Sequence, residues 1–243
     1  MLHLIPRSGF EGWLKAVLET EKIPSLRSIS KSSGISKSTL SYQLNSDTIP
    51  AATILKISRG LDLSPTKELS KFKGFEPLNE SSAFLPKEIL PLIAAKDIYL
   101  ESALRLGADI PAVNLSPIAQ GGADIWSSWF KAAAPNATYA ALKNLIGISE
   151  TQIARNNREA AWSVEQIIAM AQVFSFSPVL GLAAAGSITF NEAGLTLDAR
   201  TQALRQVSNE DLQAWVQVIA PSLTSDIKQN ESTLRNAIIE NLG

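Results

Sequence analysis

Apolar residues recur at intervals of three and four along most of this chain, while strict alternation of apolar and polar residues is scarce. The first pattern is typical of amphipathic helices and the second of half-buried strands. The sequence therefore predicts an all-α protein built from short helices. One stretch differs, because residues 187–197 (SITFNEAGLTL) alternate around a glycine and predict a small β-hairpin. Further helices are predicted from Ser208 through Val218 and from Thr233 to Leu242.

The segment from Ser25 onward contains signals for the start and end of two successive helices. Ser25 is a predicted N-cap for a short helix that turns Ile29 inward, and Gly34 ends that helix. Ser36 is a predicted N-cap for the next helix, in which Leu40 faces the core.

A supporting helix is predicted to follow near Pro50, with three inward residues, Ile54, Leu55 and Ile57. Two short helices joined by a tight glycine turn and followed by a supporting helix describe a helix-turn-helix motif.

The sequence also repeats itself at an offset of 113 residues without a gap. Gly34-Ile35-Ser36 coincides with Gly147-Ile148-Ser149, and Ser64-Pro65 coincides with Ser177-Pro178. Other identical or similar apolar pairs are Trp13 with Trp126, Ile29 with Leu142, Leu40 with Ile153, Ile54 with Ile167, Leu55 with Ile168, Leu61 with Phe174, Leu63 with Phe176 and Leu69 with Leu182. The matches fall on core and turn positions, which indicates two tandem copies of one fold unit.

The first copy resembles the lambda-repressor and Cro family of helix-turn-helix proteins, also called the xenobiotic-response-element family. The residues that carry the resemblance are Ile29-Ser30, Gly34-Ile35-Ser36, Ser38-Thr39-Leu40-Ser41, Pro50, Leu55, Ile57 and Leu61-Asp62-Leu63-Ser64. They span about residues 10–72, a quarter of the chain. The second copy, about residues 123–185, rests largely on the repeat. The chain departs from the family at Leu26 and Tyr139, where the family often has a glutamine.

The resemblance implies that a recognition helix in each module enters the major groove of DNA and presents its early residues to base edges. Lysine and arginine can donate to guanine, and glutamine or asparagine can pair with adenine. The implied base-reading residues are Lys37, Ser38, Thr39, Ser41 and Tyr42 in the first module, and Thr151, Gln152, Arg155 and Asn156 in the second. The implied phosphate contacts are Arg27, Ser28, Lys31, Asn45, Thr48 and Arg158.

Charge is distributed unevenly along the chain, although the net charge is only −1. Residues 1–75 carry 11 basic and 6 acidic side chains, a balance of +5, whereas residues 76–243 carry 11 and 17, a balance of −6. Such asymmetry points to an anionic partner for the first part of the chain. Residues 122–185 carry four of each sign, so the electrostatic attraction of the second module to DNA is weak.

The same sequence argues against several other classes of protein. It has no cysteine, no His/Cys cluster for a metal and no phosphate-binding glycine loop or nucleophile motif, so we expect no enzyme, cofactor or metal. Its apolar stretches are far shorter than the roughly 20 residues of a membrane span, and its first residues do not resemble a signal peptide. We therefore expect a cytoplasmic protein. Trp13 and Trp126 are expected in the core, and exposed Tyr42 is expected to be functional.

Together these patterns predict four segments. They are an N-terminal helix-turn-helix module at 1–75, a helical linker or bracing segment at 76–121, a second module at 122–186 and a C-terminal helical segment at 187–243. The predicted function is that of a regulator that binds double-stranded DNA sequence-specifically, of the phage or mobile-element repressor type, through two unlike modules. The alternative is a protein-interaction adaptor or antitoxin in which only the first module contacts DNA. A homodimer or protein contact would use the C-terminal half.

Overall fold

The computed structural model describes residues 3–20, 25–79, 84–118 and 120–220, and these residues are mostly helical. The all-α prediction is confirmed at this level, and the strands described are two short ones, β1 (Ile5–Pro6) and β2 (Thr48–Ile49). Up to residue 206, the α-helices of the described residues are, in chain order, α1 Arg7–Val17, α2 Leu26–Ser33, α3 Lys37–Leu44, α4 Ala51–Gly60, α5 Pro65–Leu69, α6 Pro86–Ile89, α7 Ala95–Arg105, α8 Ala123–Ala133, α9 Tyr139–Ile146, α10 Glu150–Glu159, α11 Val164–Phe174, α12 Pro178–Ala184 and α13 Leu197–Gln206.

The chain forms two compact units, and each is drawn from two stretches of sequence. The first contains Met1–Glu88 and Ala119–Thr196, and the second contains Ile89–Ile118 and Leu197–Gly243. Helices α1–α5, which we call the first five-helix segment, and α8–α12, the second five-helix segment, lie in the first unit. This grouping by contacts divides the chain differently from the four consecutive segments predicted above.

The first five-helix segment packs around α4, whose residues Ile54, Leu55 and Ile57 are buried as predicted. Antiparallel pairing of β1 with β2 aligns Ile5 with Ile49 and ties the start of α1 to the connection between α3 and α4. Two-residue strands have no periodicity of their own, so the sequence did not predict this pairing.

The second five-helix segment repeats the helix order of the first. Helix α9 begins and ends 113 residues after α2, and α10 begins 113 residues after α3 but extends two residues further. Helices α11 and α12 begin 113 residues after α4 and α5. The sequence repeat therefore corresponds to a repeat of helix positions.

The β-hairpin predicted at 187–197 is wrong, because these residues form consecutive turns. Glu192 N–H donates to Thr189 Oγ1 at 3.1 Å, and Thr189 N–H donates to Glu192 Oε2 at 2.7 Å. These reciprocal bonds hold one helical turn, and Gly194 ends it with φ of 78°. Local bonds from side chain to backbone compete with strand pairing, and here they replace it.

Residues 84–88 pack against the second five-helix segment through the buried side chain of Glu88. This carboxylate accepts from Leu85 N–H at 2.9 Å and from Ser177 N–H at the start of α12. The backbone carbonyl of Glu88 accepts from the indole Nε1 of buried Trp129 at 2.9 Å. A buried carboxylate needs such donors, so Glu88 fixes this part of the connection.

The second unit contains α7, α13 and a helix at residues 209–220. Ser208 caps that last helix by accepting from Asp211 N–H at 3.0 Å, which confirms the predicted helix start. Arg105 of α7 donates to the carbonyls of Leu204 and Val207 at the C-terminal end of α13. The helix predicted at 233–242 lies outside the described residues.

Candidate nucleic-acid interface

Helices α2 and α3 are joined by the glycine turn that the sequence predicted. Ser25 Oγ accepts from Ser28 N–H at 3.3 Å at the start of α2, and Ser36 Oγ accepts from Thr39 N–H at 3.1 Å at the start of α3. Between them Gly34 has φ of 69°, a left-handed conformation that favours glycine. Buried Ile29 and Leu40 hold the two helices on the core. The predictions for the caps and the turn are confirmed.

Polar residues line the exposed side of α3. Lys37, Ser38, Thr39 and Tyr42 are exposed, and Tyr42 is 76% exposed, although aromatic rings are usually more buried. Lys37 and Tyr42 make no side-chain hydrogen bond or ion pair with any described residue. Ser41, which was also predicted to read bases, is only half-exposed. Helix α3 thus presents the ammonium of Lys37 and the phenol of Tyr42 to solvent.

The predicted phosphate contacts of the first segment are mostly exposed as well. Arg27, Ser28 and Lys31 are exposed on α2, and Asn45 is exposed after α3, whereas Thr48 is half-buried in β2. Between residues 25 and 46 the charged residues are Arg27, Lys31 and Lys37, so no carboxylate offsets them. A surface with cations and no carboxylates attracts polyanions.

One polar pair at the end of α3 was missed by sequence reasoning. Thr53 of α4 is buried, and its Oγ1 donates to Gln43 Oε1 of α3 at 3.0 Å. The bond occupies one lone pair of the Gln43 carbonyl and attaches α3 to α4. The spacing of ten residues between these positions carries no periodic signal, so only the fold reveals the contact.

The second five-helix segment has the same caps and turn. Thr138 caps α9 by accepting from Ala141 N–H at 3.2 Å, and Ser149 caps α10 by accepting from Gln152 N–H at 3.2 Å. Gly147 between them has φ of 76°. The backbone of a helix, a glycine turn and a second helix is therefore present twice.

The charged side chains of α10 are engaged with one another, whereas on α3 the hydroxyls of Ser38 and Thr39 bond only the Ser36 hydroxyl, at 2.9 and 2.8 Å. Arg155 Nε lies 3.0 Å from Glu159 Oε2, and Arg158 Nη2 lies 3.3 Å from Glu159 Oε1. Hydrogen bonds from Arg155 and Arg158 hold the pKa of Glu159 below its ordinary value, so this carboxylate stays ionised. Thr151 and Gln152 are exposed, as predicted for base-reading residues.

Asn156 was predicted to read bases, and its burial contradicts that prediction. The residue is 4% exposed, and its Oδ1 accepts from Gln152 Nε2 at 2.6 Å. A buried side chain cannot reach a base edge, so Asn156 does not read bases. The bond also occupies the amide of Gln152, the residue predicted to pair with adenine.

The adjacent Asn157 has a structural role that sequence reasoning missed. Its Oδ1 accepts from the indole Nε1 of Trp126 and from that of Trp162, each at 3.2 Å. Both tryptophans are buried, so each N–H needs an acceptor inside the protein. Trp126 is thus a core residue, as expected.

Two sets of contacts join the first five-helix segment to α11 and to the turns that follow α12. At the start of α4, Ala51 N–H donates to Glu165 Oε1 of α11 at 2.9 Å. At the end of α4, Arg59 binds Glu192 through both carboxylate oxygens, at 2.6 and 2.8 Å, and donates to the Ser187 carbonyl at 2.8 Å. The hydrogen bond from Arg59 holds the pKa of Glu192 below its ordinary value.

Comparison with protein-family models found no match, and comparisons with curated proteins and with solved structures found none either. Within the described ranges, His, Asp and Glu form no group of three or more that could hold a metal ion. No helix in the described part of the chain is both long and apolar enough to cross a membrane.

Proposed function

We propose that this protein is a non-catalytic, cytoplasmic regulator that binds double-stranded DNA sequence-specifically through the first five-helix segment. In this proposal α2, the Gly34 turn and α3 form a helix-turn-helix, and α3 is the recognition helix. The observation that carries the proposal is the exposed side of these two helices, which has Arg27, Lys31 and Lys37 and no carboxylate.

The chemistry of each group fits a role on DNA. The Lys37 ammonium can donate to O6 and N7 of guanine, and the exposed ring of Tyr42 can pack against a thymine methyl group. Arg27 and Lys31 are four residues apart on one face of α2, where cations can contact phosphates and set the register. Base contacts then supply specificity and phosphate contacts supply affinity.

The regulatory outcome follows the resemblance to the lambda-repressor and Cro family. A protein of this kind acts as a repressor by occupying operator DNA and excluding polymerase or another factor. The assignment to phage or mobile-element repressors has the same origin.

A second candidate is a protein-interaction adaptor or antitoxin in which only the first five-helix segment contacts DNA. The equal numbers of basic and acidic residues in the second segment favour it, because an adaptor surface does not need positive charge. The two candidates share the first segment as the DNA-binding part. They differ in what the C-terminal half binds, which could be a second copy of the chain or another protein.

The first prediction tests the DNA-binding function on the intact chain. Selection from random duplex DNA should give a preferred site, and Lys37→Ala or Tyr42→Ala should each lower affinity for it by about 1–3 kcal/mol, because each removes a base contact. Fluorescence anisotropy measures the affinity. Gln172→Ala, an exposed change on α11, is the control and should leave affinity unchanged.

The salt dependence of affinity provides an independent test of the proposed contact with DNA. With a charge of +5 on residues 1–75, we expect about 4–7 neutralised phosphates, and log affinity should fall with log salt at about 0.9 per phosphate. A slope near zero, or full affinity in both alanine variants, would refute the proposed DNA contact.

A further inference from the structure

The two five-helix segments meet through equivalent parts of their surfaces. Ala51 is the first residue of α4, and the Glu165 that accepts its N–H is the second residue of α11. Since α4 and α11 occupy equivalent positions in the repeat, the contact joins the same end of the same helix in both segments.

Equivalent residues of the two segments also meet at a second place, between α5 and α12. Ser64 and Ser177, the N-cap residues of α5 and α12, line one cavity of about 300 Å³ together with Thr66 and Val179. Each of these two pairs is separated by 113 residues and so is equivalent. An interface that uses the same patch from both partners is characteristic of a two-fold dimer. The contact of Ala51 with Glu165 and this cavity therefore bring equivalent surfaces of the two segments together, as the interface of such a dimer does.

The two candidate recognition helices nevertheless differ in charge and in availability. Helix α3 has Lys37 and no carboxylate, whereas Glu150 and Glu159 balance Arg155 and Arg158 on α10. In addition, the two asparagines of α10 are used inside the protein, since Asn156 bonds Gln152 and Asn157 bonds two tryptophans.

Three features of α10 could oppose DNA binding, namely its ion pairs, its carboxylates and its inward asparagines, and they differ in size. An exposed ion pair four residues apart is weak, so Glu159 does not by itself prevent Arg155 from turning to DNA. The two carboxylates remain beside the phosphates in any such arrangement, however, and they offset the attraction of the two guanidinium groups. The inward asparagines also leave α10 fewer groups that can read bases.

We infer that the second five-helix segment takes the place of a second subunit without reading bases, so that one chain recognises a single half-site as a monomer. The inference rests on the proposed DNA-binding function and narrows it. It replaces the prediction from the sequence that two unlike modules both bind DNA.

The test uses equivalent positions of the two helices, Tyr42 in α3 and Arg155 in α10. On the selected site, Tyr42→Ala should weaken binding at least about fivefold, while Arg155→Ala should stay within twofold of the parent and keep the same footprint. Sedimentation of the parent with the duplex should give one chain per site. A tenfold loss in Arg155→Ala, loss of half the footprint, or two chains on a palindromic site would overturn the inference.

A variant that should bind DNA more tightly tests separately whether the carboxylates of α10 weaken its attraction to phosphates. Glu159→Gln removes an exposed carboxylate from α10 and should tighten binding about three- to tenfold at low salt, with a steeper salt dependence. Glu210→Gln is the matched control, because it removes an exposed carboxylate from the second unit. Equal effects of the two variants would show that the carboxylate of α10 is not what limits the second helix. If the parent binds no duplex at all, the proposed function itself fails, which these outcomes distinguish.

Discussion

Trp13 and Trp126 are equivalent buried tryptophans, and the indole N–H of each donates to a different kind of acceptor. In the first segment Trp13 Nε1 donates to Glu68 Oε2 at 2.8 Å. The position equivalent to Glu68 is Gly181, which has no acceptor, and there Trp126 donates to Asn157 instead. A buried N–H without an acceptor costs about 1–3 kcal/mol, so the loss of one carboxylate requires a new polar residue. The polar character of Asn157 therefore reflects the core and not DNA.

This account predicts that Asn157→Leu destabilises the protein, although the equivalent residue in the first segment is Leu44. The substitution removes the acceptor of both Trp126 and Trp162, so the free energy of unfolding should fall by about 1–3 kcal/mol. Urea denaturation followed by tryptophan fluorescence measures it. Asn144→Ala, at an exposed position of α9, should change stability by less than about 0.5 kcal/mol. Equal stability of the two variants would contradict the assigned role.

At the scale of elements, the first segment depends on a close approach of α2 and α4. A Cβ on Gly60 of α4 would overlap the backbone carbonyl of Ser32 in α2. A backbone atom cannot move aside as a flexible side chain does, so only glycine permits this approach. The position of α2, and with it the direction of Arg27 and Lys31, is thus set partly by the absence of a side chain on α4.

Replacing a glycine by alanine should therefore change the free energy of unfolding in opposite directions in α4 and in α1. Gly60→Ala should destabilise the protein by about 1–3 kcal/mol through overpacking. Gly12→Ala in α1, where an added Cβ has no atom within 4 Å, should stabilise it by up to about 1 kcal/mol, because alanine favours the helix. Thermal and urea unfolding compare the two. A Gly60→Ala variant as stable as the parent would mean that α2 and α4 are not so close.

At the scale of the first unit, polar contacts at both ends of α4 join the first five-helix segment to α11 and to the turns that follow α12. The N-terminal contact is Ala51 with Glu165, and the C-terminal contact is Arg59 with Glu192 and the Ser187 carbonyl. A bidentate arginine–carboxylate pair fixes orientation as well as distance. These contacts restrict how far one segment can turn relative to the other, which suits a chain that replaces a dimer.

The Arg59–Glu192 pair should make stability depend on pH in the acid range. The pKa of Glu192 is lower in the folded protein than its ordinary value, so the pair stabilises the fold above that ordinary value and is lost as pH falls through the folded pKa. Glu192→Gln should therefore lower the melting temperature at pH 7. The difference from the parent should shrink as the pH falls below about 4.5, the ordinary value of the carboxyl.

Calorimetry of both proteins from pH 7 to pH 3 measures this difference, with Glu150→Gln, an exposed change, as the control. Because the pair is partly exposed, we expect an effect of about 0.2–1 kcal/mol at neutral pH. A difference that stays constant across the range would show that the ionised carboxylate of Glu192 is not responsible.

Features that depend on residues a few positions apart can be predicted from the sequence alone. The helix caps at Ser25 and Ser36 and the left-handed glycines belong to this class, since a cap or a turn is satisfied within three or four residues. The 113-residue repeat is also visible in the sequence, because it requires only a comparison of the chain with itself. The turn at 187–197 was also local, and its Thr-x-x-Glu spacing was a signal that the alternating pattern obscured.

Which side of α10 faces inward, and which contacts hold the two segments together, cannot be predicted from sequence patterns because they depend on tertiary packing. Asn156 and Asn157 resemble base-reading residues by type, and their inward position follows from the packing of α8 and α9 against α10. Pairing of residues 5–6 with 48–49 and the contacts of Glu165 and Glu192 likewise connect positions more than 40 residues apart. Hydrophobic periodicity reports the environment along a single element, whereas these contacts depend on how separate elements meet.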